Sequence, residues 1–292
     1  MAEATAADGD AAPPEGERRG PAEVTPPALV TPMLRVDDVS LSFGGLRALD
    51  DVSFSVRPGE LVALIGPNGA GKTSMFNCIS GVYRPEQGAL LFEGADLVGM
   101  RPSRIAAGGV ARTFQNLALF ENLDIVDNLM LGRHTLMRTG LLAGAVWLGR
   151  ARREEIRHRK HCAELVDFLG LGPYVGRPVG LLPYGVQKRV EIGRALAAEP
   201  RLLMLDEPVA GMTRAERSEA GALLSGIRAE MGLTMLLVEH HMHLVLEVAD
   251  RVVAMNFGAV IASGAPTEVA NHPAVVEAYL GAAGTNGTGG ER

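Results

Sequence analysis

A lysine and a threonine close a glycine-rich segment at residues 66–73, and this combination can bind phosphate and a divalent cation. The segment reads Gly-Pro-Asn-Gly-Ala-Gly-Lys-Thr and follows an apolar run at residues 61–65. Glycines let the backbone curl so that its N–H groups point at a phosphate chain, Lys72 can reach the terminal phosphates, and the Thr73 hydroxyl can ligate Mg²⁺. The order of strand, loop and helix therefore predicts a nucleotide-binding site. Its residues are Gly66, Pro67, Asn68, Gly69, Ala70, Gly71, Lys72, Thr73 and Ser74.

Two carboxylates follow a second apolar run, at residues 202–205. Asp206 can hold the shell of a Mg²⁺ ion, and Glu207 can orient or deprotonate an attacking water. In isolation two such acids more often cap the turn that follows. Beside a phosphate-binding loop the catalytic interpretation is favoured, so the sequence predicts phosphoryl chemistry.

A histidine follows the next apolar run, at residues 234–238. His240 can contact a γ-phosphate and sense its loss, although a histidine considered alone is more often structural. His240, His241 and His243 also suggest a metal site, but we expect no acid or cysteine partner at ligand spacing. The sequence therefore favours the phosphate contact over a metal.

Residues 182–187 precede a helix that is expected to run to about Ala198. A glycine-bearing helix N-terminus is an anion site because its N–H groups are unpaired and the helix dipole is positive there. The same pattern is also that of an ordinary helix cap, and the sequence leaves both interpretations open. Gln115 lies where the strand pattern gives way to a helical one, and its residue type alone indicates nothing.

Alternating apolar residues predict two strands before the glycine-rich segment. Helical spacing of apolar residues after that segment predicts a first helix packed on a sheet. Strands alternate with helices again beyond Gln187, which predicts a largely parallel sheet covered on both faces. The residues with these patterns are Val36, Val39, Leu41, Phe43, Val52, Phe54, Val56, Met75, Cys78 and Ile79.

The region between these two α/β parts has charged helical patterning and is predicted to be a helical insertion, at about residues 116–190. It contains a basic run at residues 150–160, which could face lipid headgroups or a membrane subunit. A solvated helix face is the interpretation that we favour for this run.

The composition is that of a globular protein, with 292 residues of which 47% are hydrophobic and 21% charged. The net charge of −6 does not favour nucleic acid as a partner. The widely separated Cys78 and Cys162 predict reduced, buried thiols. No apolar stretch reaches the roughly 20 residues of a membrane span, so any work at a membrane is expected to be peripheral. Residues 1–32 and 283–292 are predicted to be flexible tails.

Over residues 33–282 this order of motifs resembles the nucleotide-binding subunit of an ATP-binding cassette (ABC) transporter. The resemblance implies a P-loop NTPase (RecA-like) α/β core, a small antiparallel β part near the N-terminus, and a helical subdomain. It implies ATP and Mg²⁺ as ligands, with adenine stacked on Phe43 and Mg²⁺ held by Thr73, Gln115 and Asp206. It also implies catalytic roles for Glu207, His240 and Gln115, and a family signature at Leu182, Pro183, Tyr184, Gly185, Val186 and Gln187.

Several details resemble the ATPases of branched-chain amino acid importers, in particular the one with the longer helical insertion. They are residues 108–117, the Tyr184-Gly185 pair, the apolar patch near Trp147 and residues 273–281. This resemblance implies a peripheral subunit at the cytoplasmic face of the membrane. It implies as partners a second ATPase subunit, two integral membrane permeases and, indirectly, a solute-binding protein, with no nucleic acid. Importers of urea, short amides or other amino acids use similar ATPases.

The chain departs from the broader family at its signature, where Pro183 replaces a serine whose hydroxyl contacts the γ-phosphate held by the opposite subunit. Tyr184 and Val186 replace a glycine and a glutamine, and Thr213 stands where an aspartate is usual. These departures suggest an asymmetric heterodimer with two unequal ATP sites. The alternatives are a soluble cassette ATPase that acts on DNA or ribosomes and, less favoured, a small-molecule kinase.

Overall fold

A computed structural model describes residues 31–113, 119–137 and 150–285 of the chain. Within these ranges the chain forms one antiparallel and one mostly parallel β-sheet, with helices between and after the strands. The predicted α/β class, with a mostly parallel core sheet and a small antiparallel part near the N-terminus, is confirmed.

The antiparallel sheet has the strand order β2-β1-β4-β5. Its strands are β1 (Leu34–Phe43), β2 (Leu46–Val56), β4 (Gln87–Phe92) and β5 (Ala95–Asp96). The apolar alternation in the first two strands buries Val36, Val39, Val52 and Val56, as predicted. Phe43 is the exception, because 44% of its surface is exposed.

The second sheet has the order β10-β9-β3-β8-β7-β6, and the first five strands of this sheet in the chain run parallel. Only β10 at one edge is antiparallel to its neighbour. The carboxyl ends of β3, β7 and β8 therefore meet at one edge of the sheet. The strands are β3 (Leu61–Ile65), β6 (Val110–Arg112), β7 (Leu202–Asp206), β8 (Thr234–Val238), β9 (Arg251–Asn256) and β10 (Ala259–Gly264).

Helices α1–α9 follow and connect these strands. They are α1 (Lys72–Ile79), α2 (Pro102–Ala107), α3 (Ile125–Gly132), α4 (Arg150–Phe168), α5 (Tyr184–Ala197), α6 (Arg214–Met231), α7 (Met242–Val248), α8 (Pro266–Ala270) and α9 (Pro273–Thr285). In the described ranges no helix is both long enough and apolar enough to cross a membrane.

Both faces of the parallel sheet are covered, because successive residues of a strand point to opposite sides. Leu202 and Met204 of β7 pack in the apolar cluster that contains α1 and the antiparallel sheet. Leu203 and Leu205 pack in the cluster that contains α5 and α6. The sheet is therefore a rigid base whose carboxyl edge carries the loops of interest.

The chain between β6 and β7 is helical over the residues that the structure describes there. It comprises α3, α4, α5 and short 3₁₀ turns, and the basic run lies on α4. Arg159 of that run pairs with Asp127 and Glu155 at 3.1 Å each. The patch near Trp147 lies outside the described residues, as do residues 1–30 and 286–292 of the tails predicted at 1–32 and 283–292. Residues 283–285 form the end of α9.

Candidate functional site

The glycine-rich segment joins β3 to α1 with a backbone that only glycine accommodates at two points. Gly66 has φ +148°, and a Cβ added there would lie 2.2 Å from the carbonyl oxygen of Met255. Gly71 has φ +100° and caps α1, and its Cβ would lie 2.6 Å from the oxygen of Ala48. Gly69, at φ +82°, has no atom within 4 Å of the Cβ position. The segment therefore has the predicted curled backbone, open at Gly69.

The Lys72 ammonium closes this loop from inside. Its Nζ donates to the carbonyl oxygens of Gly66 at 2.7 Å and Pro67 at 2.9 Å. Burial lowers the pKa of Lys72, and the nearby carboxylates of Glu207 and Asp206 oppose that change. Lys72 is therefore a buried cation that interacts electrostatically with the carboxylates of Asp206 and Glu207.

A cavity of about 620 Å³ opens over the loop and contains most of the predicted nucleotide-binding residues together with Glu207. Phe43 lies at its rim, with its ring edge-on to Tyr83 at 5.0 Å between centroids. Phe257, from the turn between β9 and β10, also lines the cavity although the sequence did not indicate it. The lining residues are Phe43, Leu46, Arg47, Ala48, Asn68, Gly69, Ala70, Gly71, Lys72, Thr73, Ser74, Glu207 and Phe257.

The two acids at the end of β7 have different surroundings. Asp206 is 2% exposed, and its Oδ2 accepts a hydrogen bond from Arg112 at 2.7 Å. Glu207 has φ +47°, an unusual value for a residue with a side chain, and its N–H donates to Val238 at 2.9 Å. Backbone strain of this kind concentrates at functional sites because it can redirect a side chain. Here Glu207 borders the cavity while its neighbour Asp206 stays buried.

The turn after β8 joins His240 to this centre. Nδ1 of His240 lies 3.8 Å from Oε1 of Glu207. The preceding Glu239 is fully buried, and its Oε2 accepts the backbone N–H groups of His240 at 3.0 Å and His241 at 3.1 Å. Its Oε1 accepts the N–H of Val209 at 3.4 Å. The Glu239 carboxylate thus connects, by hydrogen bonds, the segment after Glu207 to the turn that carries His240.

The expectation that no acid lies at ligand spacing from these histidines is wrong. Ligand atoms of Glu239, His240 and His241 all lie within 4.8 Å of one another. Sequence reasoning looked for a separate acid and overlooked the adjacent one. Because Oε2 of Glu239 already accepts two backbone N–H groups, its evident role is to hold the turn.

The proposed signature residues 182–187 form the start of α5. Pro183 is the N-cap with φ −54°, and its carbonyl accepts the N–H groups of Val186 and Gln187 at 2.9 and 3.0 Å. The Gln187 side chain donates to the oxygen of Leu182 at 2.8 Å. None of these six residues lines the cavity described above. The predicted signature residues therefore lie outside the cavity over the phosphate loop of the same chain.

The start of α5 contacts the segment that follows Glu207. The Tyr184 ring lies 3.3 Å from the position of a Cβ at Gly211, and a Cβ at Gly185 would lie 3.0 Å from Glu216. Thr213 caps α6, since its hydroxyl accepts the N–H of Glu216 and its own N–H donates to the Glu216 carboxylate. Threonine is a favoured N-cap residue, which explains how Thr213 fits the start of α6.

The donor set fits a magnesium nucleotide. Hard oxygen ligands suit Mg²⁺; the Thr73 hydroxyl belongs to the cavity lining, and the Asp206 carboxylate lies close enough to Lys72 to oppose the lowering of the pKa of that lysine by burial. The open backbone at Gly69 and the cationic Lys72 suit a chain of phosphates. Gln115, predicted as a further ligand, lies outside the described residues, whereas Thr113 just before it accepts the N–H of Asp206 at 3.2 Å.

Sequence reasoning did not assign Arg112, Phe257 or Tyr279 to the site. Arg112 binds Asp206, Phe257 lines the cavity, and the Tyr279 hydroxyl accepts the N–H of Gly66 at 2.9 Å. Two of these contacts join residues 94 and 213 positions apart, so no local pattern could indicate them. For Phe257 the signal in the sequence was an aromatic residue directly before a glycine.

Family models match two parts of the chain. Residues 49–210 match the model described as ABC transporter, and residues 259–285 match the one described as branched-chain amino acid ATP-binding cassette transporter. The second match covers β10 and the two helices that follow it.

Curated relatives match over most of their length. The chain is 40% identical to the high-affinity branched-chain amino acid transport ATP-binding protein BraF of Pseudomonas aeruginosa, over 86% of this chain and 99% of that protein. It is 39% identical to LivG of Escherichia coli, a protein of the same description, with the same coverage.

Solved structures of ATP-binding cassettes share the fold. A nucleotide-free cassette from an ABC transporter has a TM-score of 0.73 at 31% identity, covering 85% of this chain and 99% of that one. The ADP conformation of a cassette has a TM-score of 0.75 at 31% identity, covering 86% and 99%.

Proposed function

The chain belongs to the ATP-binding subunits of ABC transporters, and we propose that it powers the uptake of branched-chain or related amino acids. It is an ABC-type ATPase that binds ATP. The observation that carries the proposed catalysis is that one cavity joins the phosphate loop, Lys72 and Glu207. The 259–285 match and the BraF and LivG relatives support the amino acid substrate.

In the proposed complex the nucleotide occupies the cavity over the loop. The adenine stacks on Phe43 at the rim, and the backbone N–H groups of residues 69–74 surround the phosphates. Lys72 supplies positive charge to the terminal phosphates. Its buried position makes that charge effective, because the surrounding dielectric is lower than that of water.

Mg²⁺ would be held by Thr73, Asp206 and Gln115, and when bound it neutralises charge that develops on the phosphates. Glu207 orients a water for attack on the γ-phosphate and takes up its proton. His240, 3.8 Å from the Glu207 carboxylate, donates a hydrogen bond to the γ-phosphate and loses that partner after hydrolysis. The strained backbone of Glu207 and the buried Glu239 hold these two side chains in place.

The signature residues would serve a different ATP molecule, held by a second ATPase subunit. Their separation from the chain's own cavity supports this arrangement. Pro183 offers neither a hydroxyl nor an N–H, so the site that relies on Pro183 and Gly185 would turn over slowly. The site built from Lys72, Asp206 and Glu207 would be fast if the partner contributes a standard signature. We therefore propose an asymmetric heterodimer.

The remaining proposed partners are two integral membrane permeases and, indirectly, an extracytoplasmic solute-binding protein. The ATPase would sit peripherally on the cytoplasmic face of the membrane. Closure on ATP would move the permeases through the helical insertion and the region near Gln115, and reopening would follow the loss of the γ-phosphate.

Purification of the tagged chain from membranes, with the proteins encoded beside it, tests this function. We expect integral membrane proteins to co-purify with the tagged chain. Vesicles reconstituted with the complex should take up leucine only when ATP is present on the side of the membrane that carries the ATPase subunits. Uptake of urea or a short amide in place of leucine would reassign the substrate. ATPase activity stimulated by DNA or ribosomes, without membrane association, would overturn the transport function.

A further inference from the structure

Helix α9 carries the C-terminal residues 273–281, and none of the roles above involves them. The tyrosine of this segment, Tyr279, packs its ring against the small apolar cluster formed by β3, β9 and the neighbouring helices. Ile65, the last residue of β3, and Val275 of α9 belong to that cluster. The helix is thus seated directly beside the strand that leads into the phosphate loop.

The Tyr279 hydroxyl reaches the first residue of that loop. It accepts the backbone N–H of Gly66 at 2.9 Å. Burial raises the pKa of Tyr279, against the lowering effect of the Gly66 hydrogen bond, so the phenol is neutral. A neutral phenol oxygen is a good acceptor for a backbone N–H that the loop itself does not pair.

Gly66 is held from both sides. Outside the loop its N–H donates to Tyr279, and inside the loop its carbonyl accepts from Lys72 at 2.7 Å. A Cβ at Gly66 would lie 2.2 Å from the Met255 oxygen, so the loop backbone also passes close to β9 at this residue. The two hydrogen bonds hold the peptide groups on either side of Gly66, where the phosphate loop begins.

We infer that Tyr279 is a positioning residue for the phosphate loop, and that docking of α9 and binding of ATP favour each other. This inference rests on the proposed ATP site in the cavity. A contact that orients the loop for phosphate must by linkage be stabilised when phosphate is bound. The C-terminal helix is then a coupled part of the nucleotide site.

Tyr279→Phe tests the first half of this inference, because it removes only the hydroxyl. We expect its Kd for Mg-ATP, measured by calorimetry on the full chain, to rise about fivefold, the scale set by one unsatisfied buried N–H. Tyr174→Phe is the matched control, a partly buried tyrosine of the helical insertion. Its Kd should stay within about twofold of the wild type.

Hydrogen exchange tests the second half of the inference, the coupling between docking of α9 and binding of ATP. A residue with a purely structural role would not change how exchange in α9 responds to ATP. In the wild type, Mg-ATP should slow amide exchange in residues 273–280, and in Tyr279→Phe that slowing should disappear. The wild-type experiment alone suffices if the variant fails to fold. An unchanged exchange rate in α9 on ATP binding would overturn the inference, as would a Tyr279→Phe Kd equal to that of the control. Failure of the wild-type protein to bind ATP would instead contradict the proposed function.

Discussion

The guanidinium of Arg112 donates to the Asp206 carboxylate across 2.7 Å, and the two side chains are 11% and 2% exposed. The same guanidinium also donates to Asn77 at 2.7 Å and Ser80 at 3.1 Å, both on or just after α1. One arginine therefore connects the helix of the phosphate loop to the proposed Mg²⁺ ligand.

Arg112→Ala should lower the free energy of unfolding by about 3 kcal/mol, because it leaves the charge of Asp206 buried without its cation. Urea denaturation measures this change. The control is Arg35→Ala, whose ion pair with Asp37 is exposed and should change stability by less than about 0.5 kcal/mol. Equal effects of the two substitutions would show that the Arg112 pair does not stabilise the fold.

Glu207→Gln should reduce ATP turnover in the assembled transporter by at least about a hundredfold, because the amide cannot accept the proton of the attacking water. ATP affinity should change little, since the side chain keeps its size. Phosphate release and nucleotide binding measure the two quantities separately. Unchanged turnover would remove Glu207 from its proposed role.

The equivalent substitution in the partner ATPase tests the asymmetry. In the proposed heterodimer that glutamate would face the site completed by Pro183 and Gly185 of this chain, so its loss should reduce total turnover less than Glu207→Gln does. Equal losses from the two substitutions would contradict two unequal sites.

Gly226→Ala should raise the free energy of unfolding by about 0.5–1 kcal/mol. Gly226 lies inside α6, and no atom lies within 4 Å of its Cβ position, so alanine adds helix propensity without a clash. Gly132→Ala in α3 should have the opposite effect, because that Cβ would lie 2.1 Å from the backbone oxygen of Arg194. Thermal unfolding of both variants measures the contrast.

Protonation of Glu60 should lower the free energy of unfolding at acidic pH. Burial raises the pKa of Glu60, but hydrogen bonds from Arg251 and the Arg57 backbone outweigh it, and the net pKa is below the ordinary 4.5. A lowered pKa contributes stability above pH 4.5 that is lost as the pH falls through the value in the folded state. Glu60→Gln should flatten that part of the stability profile between about pH 5 and 3. Identical profiles for the two proteins would contradict the assignment.

Local patterns predicted the elements that carry chemistry. The loop at Gly66, the acids after β7 and the histidine after β8 could be recognised because each follows its own apolar strand. The parallel sheet then brings those strand ends to one edge. Arg112 and Tyr279 could not be recognised, because their contacts depend on packing between distant segments. The adjacent Glu239 was visible in the sequence, but its backbone hydrogen bonds exist only in the folded turn.

The contact of Tyr184 with Gly211 has a consequence for a pair of such chains. Tyr184 begins the helix that would reach into the partner's ATP site, whereas Gly211 belongs to the segment leaving Glu207 in the chain's own site. Because the two segments are packed together in one polypeptide, a displacement of either segment would also displace the other. In the proposed heterodimer, this subunit would then couple the state of its own nucleotide to the site of the opposite nucleotide, without any signal passing through the membrane.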